Sequence, residues 1–219
     1  MCGRFNLTAP GEQIAEEFGL GEPPVLKPRF NIAPSQLIAV VGLQPKTGRR
    51  GLAELRWGLL PSGAREGDRR HINARSETAG VRPAFRGAFA RRRCLIPATG
   101  FYEWKRVPGH KPQPWLLKLA SGRVFAFAGL WEPALAPGGT PSCTILTTEP
   151  NDLARQVHDR MPVILAAADY APWLDPALTS GQDLEPLLRP FPATGMTAFA
   201  VTTAVNKPVV DDPSCIAPA

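Results

Sequence analysis

The sequence predicts a single α+β domain over residues 1–219, in which a mainly antiparallel sheet is flanked by short helices. Of the 219 residues, 44% are hydrophobic and 20% charged, which suits one buried core. The 20 glycines and 25 prolines are scattered between short apolar runs, so turns are frequent and a long helical bundle is excluded. The β-prone runs follow one another without the long crossover helices that a parallel sheet requires.

The elements of the first half are short. A helix is predicted over 11–18, where Ile14 and Phe18 lie four residues apart behind Pro10. Polar, basic and glycine-containing residues predict a surface loop over 62–71. Short apolar or β-prone runs are predicted at 37–41 and 55–61.

The second half is dominated by strands. The turn residues 120–123 separate two β-prone runs and predict a hairpin between them. Asn151 is expected to cap a short helix over 152–158, and a second helix is predicted at 184–188. The predicted strands lie at 94–96, 101–104, 115–119, 124–130, 143–148 and 197–205.

Several classes of protein are excluded by composition. No stretch approaches 18 uncharged apolar residues, so a membrane-spanning helix is not expected. Arg4, Glu12 and Glu16 fall where a secretory signal would be apolar, so we expect a cytoplasmic protein, nucleoid-associated if bacterial. The four cysteines and three histidines form no metal-ligand spacing, so we expect no metal, no cofactor and no disulfide framework.

Positive charge is concentrated in the first half of the chain. Residues 1–106 carry 18 Lys and Arg against 9 Asp and Glu, whereas residues 107–219 carry 7 against 10. Arginine outnumbers lysine 19 to 6, and its planar guanidinium suits contacts with phosphates and bases. Nucleic acid is therefore the favoured partner, and a merely solvated basic face is the alternative.

Cys2 has a chemistry that no internal cysteine shares. Removal of Met1 would leave it with a free α-amine and a thiol on adjacent carbons. The amine, with an ordinary pKa of about 7.7–8.0, can condense with an aldehyde to an imine. Attack of the thiol on the imine carbon then closes a five-membered thiazolidine ring. The alternative is that Cys2 is only the start of the chain.

Three internal segments could supply further chemistry. Residues 71–77 concentrate polar and cationic groups, and Glu103 lies between two large aromatic residues in a predicted strand, where burial would raise its pKa. His158 lies at a predicted helix end beside Asp159 and Arg160. Each has a structural alternative: an edge-strand ion pair for Glu103, a helix terminus for His158, and the core for Trp57 and Trp104.

Together these segments resemble the SOS response-associated peptidase-like (SRAP) family, whose members cover abasic sites in single-stranded DNA. The matching segments, in family order over nearly the whole chain, are 1–5, 31–34, 56–61, 73–77, 94–97, 100–104, 158–162 and 205–206. The resemblance implies an SRAP fold with a barrel-like core. It also implies a thiazolidine crosslink to the abasic sugar that prevents strand cleavage, self-removal of Met1, and an abasic-site lyase side activity.

The resemblance also implies residue roles. Cys2 would form the covalent link, Asn73 would hydrogen-bond it, and Glu103 and His158 would act as an acid–base pair whose division of roles stays open. The implied DNA contacts are phosphate ligands at Arg4, Arg75 and Arg160 and apolar contacts to bases at Pro34 and Trp57. We expect a monomer that binds single-stranded DNA containing abasic sites.

Two other functions remain open on the sequence alone. An N-terminal-nucleophile peptidase acting on other proteins would turn over a peptide without needing an aldehyde. A non-covalent single-strand-binding module would show only salt-sensitive binding.

Overall fold

The computed structural model describes residues 2–65 and 67–219, and within them the chain folds into two β-sheets with short helices. The expectation for Met1 concerns a residue outside the described ones. The strands, β1 to β13 in chain order, are Phe5–Leu7, Arg29–Ile32, Leu37–Leu43, Arg50–Trp57, Asn73–Arg75, Arg93–Ala98, Gly100–Lys105, Gln113–Leu119, Phe125–Glu132, Ser142–Thr148, Met161–Pro162, Ile164–Leu165 and Met196–Ala200.

The helices lie around these sheets. The α-helices, α1 to α6, are Gly11–Phe18, Ser76–Ala79, Arg86–Arg91, Asp152–Arg155, Tyr170–Leu174 and Gly181–Leu184. Helix α1 buries Ile14 and Phe18, as their spacing predicts, and ends at Gly19 in the left-handed conformation (φ 62°). Single 3-10 turns occupy Ala167–Asp169, Glu185–Leu188, Ala193–Gly195, Thr203–Asn206 and Pro213–Ile216.

The first sheet is antiparallel, with strand order β13-β8-β7-β1-β2. The second follows the order β11-β10-β4-β3-β6-β9-β12, with β5 beside β10. Because β10 also pairs with β9, five of its strands close into a ring. Parallel pairs occur only where β10 meets β4 and β5 among the described strands. The predicted α+β class is confirmed.

The predicted hairpin at 120–123 is wrong. Strand β8 before the turn pairs with β7 and β13, whereas β9 after it pairs with β6, β10 and β12 in the other sheet. Every residue of the 125–130 run is buried, so this strand lies between partners in the ring instead of at the end of a two-stranded ribbon. A turn motif fixes a local reversal of the chain but not the strand that pairs beyond it.

Two other predicted elements are shorter than expected. The helix capped by Asn151 ends at Arg155, and the amide of His158 closes the following turn by donating to the Ala154 carbonyl at 2.9 Å. The late strand ends at Ala200, after which the chain forms a 3-10 turn. The helix predicted at 184–188 is α6 followed by a 3-10 turn.

The two sheets meet at the start of the chain. Ala98 ends β6 in the second sheet, and Gly100 begins β7 in the first after a single residue. A Cβ on Gly100 would lie 2.8 Å from the Leu116 side chain and 3.0 Å from the Leu117 carbonyl oxygen, so glycine permits this close crossing. Strand β1 pairs with β2 and β7 in the first sheet, and Asn73 of β5 in the second sheet donates to the Cys2 carbonyl oxygen, so Cys2 lies where the two sheets meet.

Candidate active site at the amino terminus

Strand pairing brings Cys2 to Glu103. Strands β1 and β7 are antiparallel with Phe5 opposite Phe101, so continuing this register places residue 3 opposite Glu103. Cys2 is fully buried, and its Sγ lies 3.9 Å from the Arg4 carbonyl oxygen. Burial, followed by the negative charge of Glu103, raises the pKa of the thiol, so the sulfur is held protonated.

Asn73 holds Cys2 from the other sheet. Its Nδ2 donates to the Cys2 carbonyl oxygen at 2.8 Å. Asn73 begins β5, which runs parallel to β10 with Asn73 opposite Ile145. The Asn73 Oδ1 is buried and has no hydrogen-bond partner within the described residues. An unused buried acceptor beside Cys2 is costly to leave unpaired and is suited to a ligand or to an amine on Cys2.

Glu103 is the buried carboxyl group of the site. Only 4% of the residue is exposed, and burial raises its pKa to about 7. A carboxyl group with this pKa is divided between its acidic and basic forms near neutral pH. It can therefore both donate and accept a proton during a reaction.

His158 faces Glu103 from the segment between α4 and β11. Its Nε2 lies 3.9 Å from Glu103 Oε2. The backbone N–H of Arg160 donates to His158 Nδ1 at 3.1 Å, which leaves the proton of a neutral ring on Nε2, facing Glu103. Burial lowers the pKa of His158, so the neutral ring is favoured.

Arg160 is engaged within the protein. Its guanidinium binds both carboxylate oxygens of Glu77, at 2.6 and 2.9 Å, and donates to the Thr147 carbonyl oxygen at 2.6 Å. Glu77 lies in α2, directly after β5, so this ion pair ties the Asn73 segment to the His158 segment. Sequence reasoning assigned no role to Glu77, although it belongs to the same 73–77 segment.

The other predicted phosphate ligands occupy different surroundings. Arg4 donates to Asn31 Oδ1 at 2.7 Å and to the Val205 carbonyl oxygen at 2.6 Å, which attaches the C-terminal segment to β1. Arg75 is exposed, and no hydrogen bond or ion pair of its side chain is found among the described residues. Its positive charge contributes to lowering the pKa of nearby Glu77.

The two residues predicted to contact bases also differ in how far they are buried. Pro34 is half-buried in the turn between β2 and β3. Trp57 is completely buried, so its stacking on a base, which stays a prediction, would require the ring to become exposed. Its Nε1 donates to the Ile72 carbonyl oxygen at 2.8 Å, and its ring packs edge-on against Phe5. An indole in this position supports the core beneath Cys2.

No group of three or more His, Cys, Asp or Glu side chains within residues 2–65 and 67–219 could hold a metal ion. The part of the chain that the structure describes also has no helix long and apolar enough to cross a membrane.

Comparison with known proteins places the chain in a family. The chain is 41% identical to the abasic site processing protein YoqW of Bacillus subtilis, over 99% of both chains. It is 30% identical to the abasic site processing protein HMCES of Gallus gallus, over 78% of this chain and 59% of that protein.

Solved structures agree on the fold. A Bordetella bronchiseptica protein superposes with a TM-score of 0.78 at 31% identity, covering 92% of this chain and all of the other. A Bacteroides thetaiotaomicron protein of the same fold gives 0.86 at 24% identity, over the whole of both chains. The sequence profile of the SOS response associated peptidase (SRAP) family matches residues 1–208, and the chain belongs to this family.

Proposed function

We propose that this protein recognises abasic sites in single-stranded DNA and becomes covalently linked to them through Cys2. The observation that carries the proposal is the placement of Cys2 against Glu103 and Asn73, with His158 3.9 Å from Glu103. The relatives named as abasic site processing proteins support the same substrate. All of these groups come from one chain, so we propose that it acts as a monomer.

The reaction begins with exposure of the amine. Hydrolysis of the Met1–Cys2 peptide bond consumes one water and releases methionine, and we propose that the site performs this step on itself. The free amine then adds to the aldehyde carbon of the ring-opened abasic sugar, and loss of one water gives the imine. Addition of the thiol to the imine carbon moves the sulfur proton to nitrogen and closes the thiazolidine.

We assign the proton transfers in these steps to Glu103. In its acidic form it can protonate the hydroxyl group that leaves the carbinolamine as water, and in its basic form it can take a proton from the attacking thiol. A pKa of about 7 supplies both forms near neutral pH. The raised pKa of the thiol makes such a base necessary, because the sulfur does not ionise unaided.

Ring closure explains how the link would protect DNA. An imine acidifies the adjacent sugar C2′ proton and favours elimination of the 3′ phosphate, whereas a thiazolidine carbon is saturated and lacks this activation. The thiol lies on the carbon next to the amine, so intramolecular closure has a high effective molarity. A lyase side reaction is expected only where closure fails.

Burial of the reacting groups favours a single-stranded substrate. Cys2 is fully buried and Glu103 nearly so, which means that the sugar must leave its own strand and enter the site. Extracting a nucleotide from a duplex costs a few kcal/mol of stacking and pairing, most of which a single strand avoids. We assign the contact with a flanking phosphate to Arg75, which is exposed.

The decisive test uses abasic single-stranded DNA and a denaturing gel. Wild-type protein should form a band that survives boiling, and Cys2→Ala should lose it. Once Met1 is removed from this variant, its α-amine remains, so we expect a borohydride-trappable imine and more nicking at the abasic site than with the wild type. Cys215→Ala, which removes a buried thiol elsewhere in the chain, should still form the stable band.

The outcomes separate the alternatives. An uncleaved residue ahead of Cys2 should abolish the crosslink and leave salt-dependent binding, because an amide nitrogen forms no imine. A boiling-resistant band from Cys2→Ala would refute the assignment of the nucleophile. Salt-sensitive binding with no covalent band from the wild type would instead favour a non-covalent binding module.

A further inference from the structure

His158 Nδ1 has two neighbours that require opposite protonation states. The Arg160 backbone N–H lies 3.1 Å away and donates to it, which requires an unprotonated nitrogen. The Asp159 carboxylate oxygen Oδ1 lies 2.8 Å from the same nitrogen, a distance that suits a protonated Nδ1. One nitrogen cannot satisfy both neighbours at once, so the ring has a distinct partner for each of its charge states.

The charge state of the ring decides what Nε2 can do. A neutral imidazole with its proton on Nε2 would become an anion if it gave that proton away, so it is not an effective acid near pH 7. Once Nδ1 is also protonated, the imidazolium can release the Nε2 proton and remain as a neutral ring. The nitrogen that faces Glu103 therefore becomes an acid only when Nδ1 holds a proton.

The geometry points to Asp159 as the positioning residue that holds a proton on His158 Nδ1 and so makes Nε2 the acid of the site. This inference rests on the proposed function, because it assigns Nε2 the task of protonating the sugar ring oxygen as the abasic hemiacetal opens. The C1′–O4′ bond breaks, O4′ takes the Nε2 proton, and the hydroxyl proton on C1′ passes to the Glu103 carboxylate as the aldehyde forms. The neutral ring then keeps its Nδ1 proton on Asp159.

Charged groups on several elements surround the His158 ring and change its pKa. Glu103 faces Nε2 from β7, and Arg106, which follows β7, lowers the pKa of His158. Asp159 raises it and opposes the larger effect of burial. The Asp159 side chain is exposed, so its removal should not disturb the fold, and its charge also raises the pKa of Glu103.

A charge-neutral variant and a matched control test the role. In Asp159→Asn, the His158 ring signals in an NMR titration should have their midpoint at lower pH than in the wild type. Asp152→Asn removes an exposed carboxylate from nearby α4 without touching Nδ1, and it should leave the midpoint in place. The protein has only three histidines, so single His71 and His110 variants complete the assignment.

The reaction supplies a second readout. Above neutral pH the rate follows the fraction of His158 that is still protonated, so Asp159→Asn should form the crosslink about two- to fivefold more slowly there. Below the midpoint the two rates should converge, and Asp159→Glu should restore the wild-type profile. A uniform loss of rate at every pH, or equal midpoints in Asp159→Asn and Asp152→Asn, would overturn the role of Asp159.

Failure of the proposed function would look different. If the wild type gave no boiling-resistant adduct with abasic DNA at any pH, the covalent function and this inference would both be refuted. A normal wild-type adduct with an unshifted Asp159→Asn profile would refute only the inference.

Discussion

Polar side chains on the two faces of strand β7 have different surroundings. On the outer face, Tyr102 OH donates to the Phe30 carbonyl oxygen at 2.6 Å and accepts from Asn6 at 3.1 Å. Trp104 Nε1 on this face donates to Asn206 Oδ1 at 2.7 Å. On the inner face, Glu103 is buried with a raised pKa beside a Cys2 thiol whose pKa is also raised.

Within one strand, the polar groups of the two faces therefore have different effects on the stability of the fold. A buried polar group with a full set of partners stabilises the fold or costs little, whereas a desolvated acid lowers the stability of the folded state in its charged form. On the outer face, Tyr102 bonds to Phe30 of β2 and Asn6 of β1, and Trp104 attaches the C-terminal segment through Asn206. On the inner face, burial raises the pKa of Glu103 to about 7, so both of its protonation states are present near neutral pH.

On the inner face of β7, Glu103→Gln should have the largest effect, which is a loss of crosslinking rate. Removing a general acid–base group typically lowers the rate by about 10²- to 10⁴-fold, so crosslinking by the variant should be slowed by at least two orders of magnitude. Single-turnover kinetics on a denaturing gel at pH 7 would measure it. An unchanged rate would remove Glu103 from the mechanism.

The same substitution should stabilise the protein at high pH. The pKa of Glu103 is about 7 in the folded state against an ordinary value of 4.5, so its contribution to stability is full below pH 4.5 and is lost as the pH rises through 7. Glutamine carries no such penalty, and the free energy of unfolding at pH 8 should rise by up to about 3 kcal/mol. Urea unfolding at pH 4 and pH 8 would test this, and a variant less stable than the wild type at pH 8 would contradict it.

Tyr102→Phe is the matched change on the outer face. It removes the hydroxyl group and leaves the Phe30 carbonyl and the Asn6 amide without that partner, so the free energy of unfolding should fall by about 1–3 kcal/mol. Under conditions where the variant is folded, the crosslinking rate should stay within about twofold of the wild type. A large loss of rate without a loss of stability would mean that the outer face takes part in the reaction.

Local features of the fold could be predicted from the sequence, and long-range pairings could not. Helix α1 was predicted over its observed span because two apolar side chains four residues apart determine its buried face. The hairpin at 120–123 failed because the turn residues specify a reversal but not whether the next strand joins the same sheet. That choice depends on the partners of β9, of which β6 and β12 are separated from it along the chain by other strands.

In the candidate site, too, the residues could be predicted from the sequence but their spatial arrangement could not. Cys2, Asn73, Glu103 and His158 were predicted from the chemistry of their side chains and from the family resemblance. Their distances depend on the register of β1 with β7 and of β5 with β10. The complete burial of Trp57 depends on long-range packing, and the Glu77 partner of Arg160 lies 83 positions away, so neither result could be inferred from local patterns.

The two arginines beside the site extend the comparison to DNA binding, where the expected effects are smallest. Arg160 is held by Glu77 and Thr147, whereas the described residues offer the exposed Arg75 no such partner. Arg75→Gln should therefore lower the dependence of log affinity on log salt concentration by about 0.7 for single-stranded DNA, the value for one phosphate contact. Its stability should not change.

Arg160→Gln should show the opposite pattern. The loss of its two-pronged bond to Glu77 and its bond to Thr147 should lower the free energy of unfolding by about 1–3 kcal/mol, and the salt dependence should stay as in the wild type. Fluorescence anisotropy over a salt series, with a non-abasic single strand so that no covalent step intervenes, would measure the slopes. If Arg160→Gln reduced the slope and Arg75→Gln did not, phosphate would displace Glu77 from Arg160 on binding, and the internal ion pair would be a resting state that DNA opens.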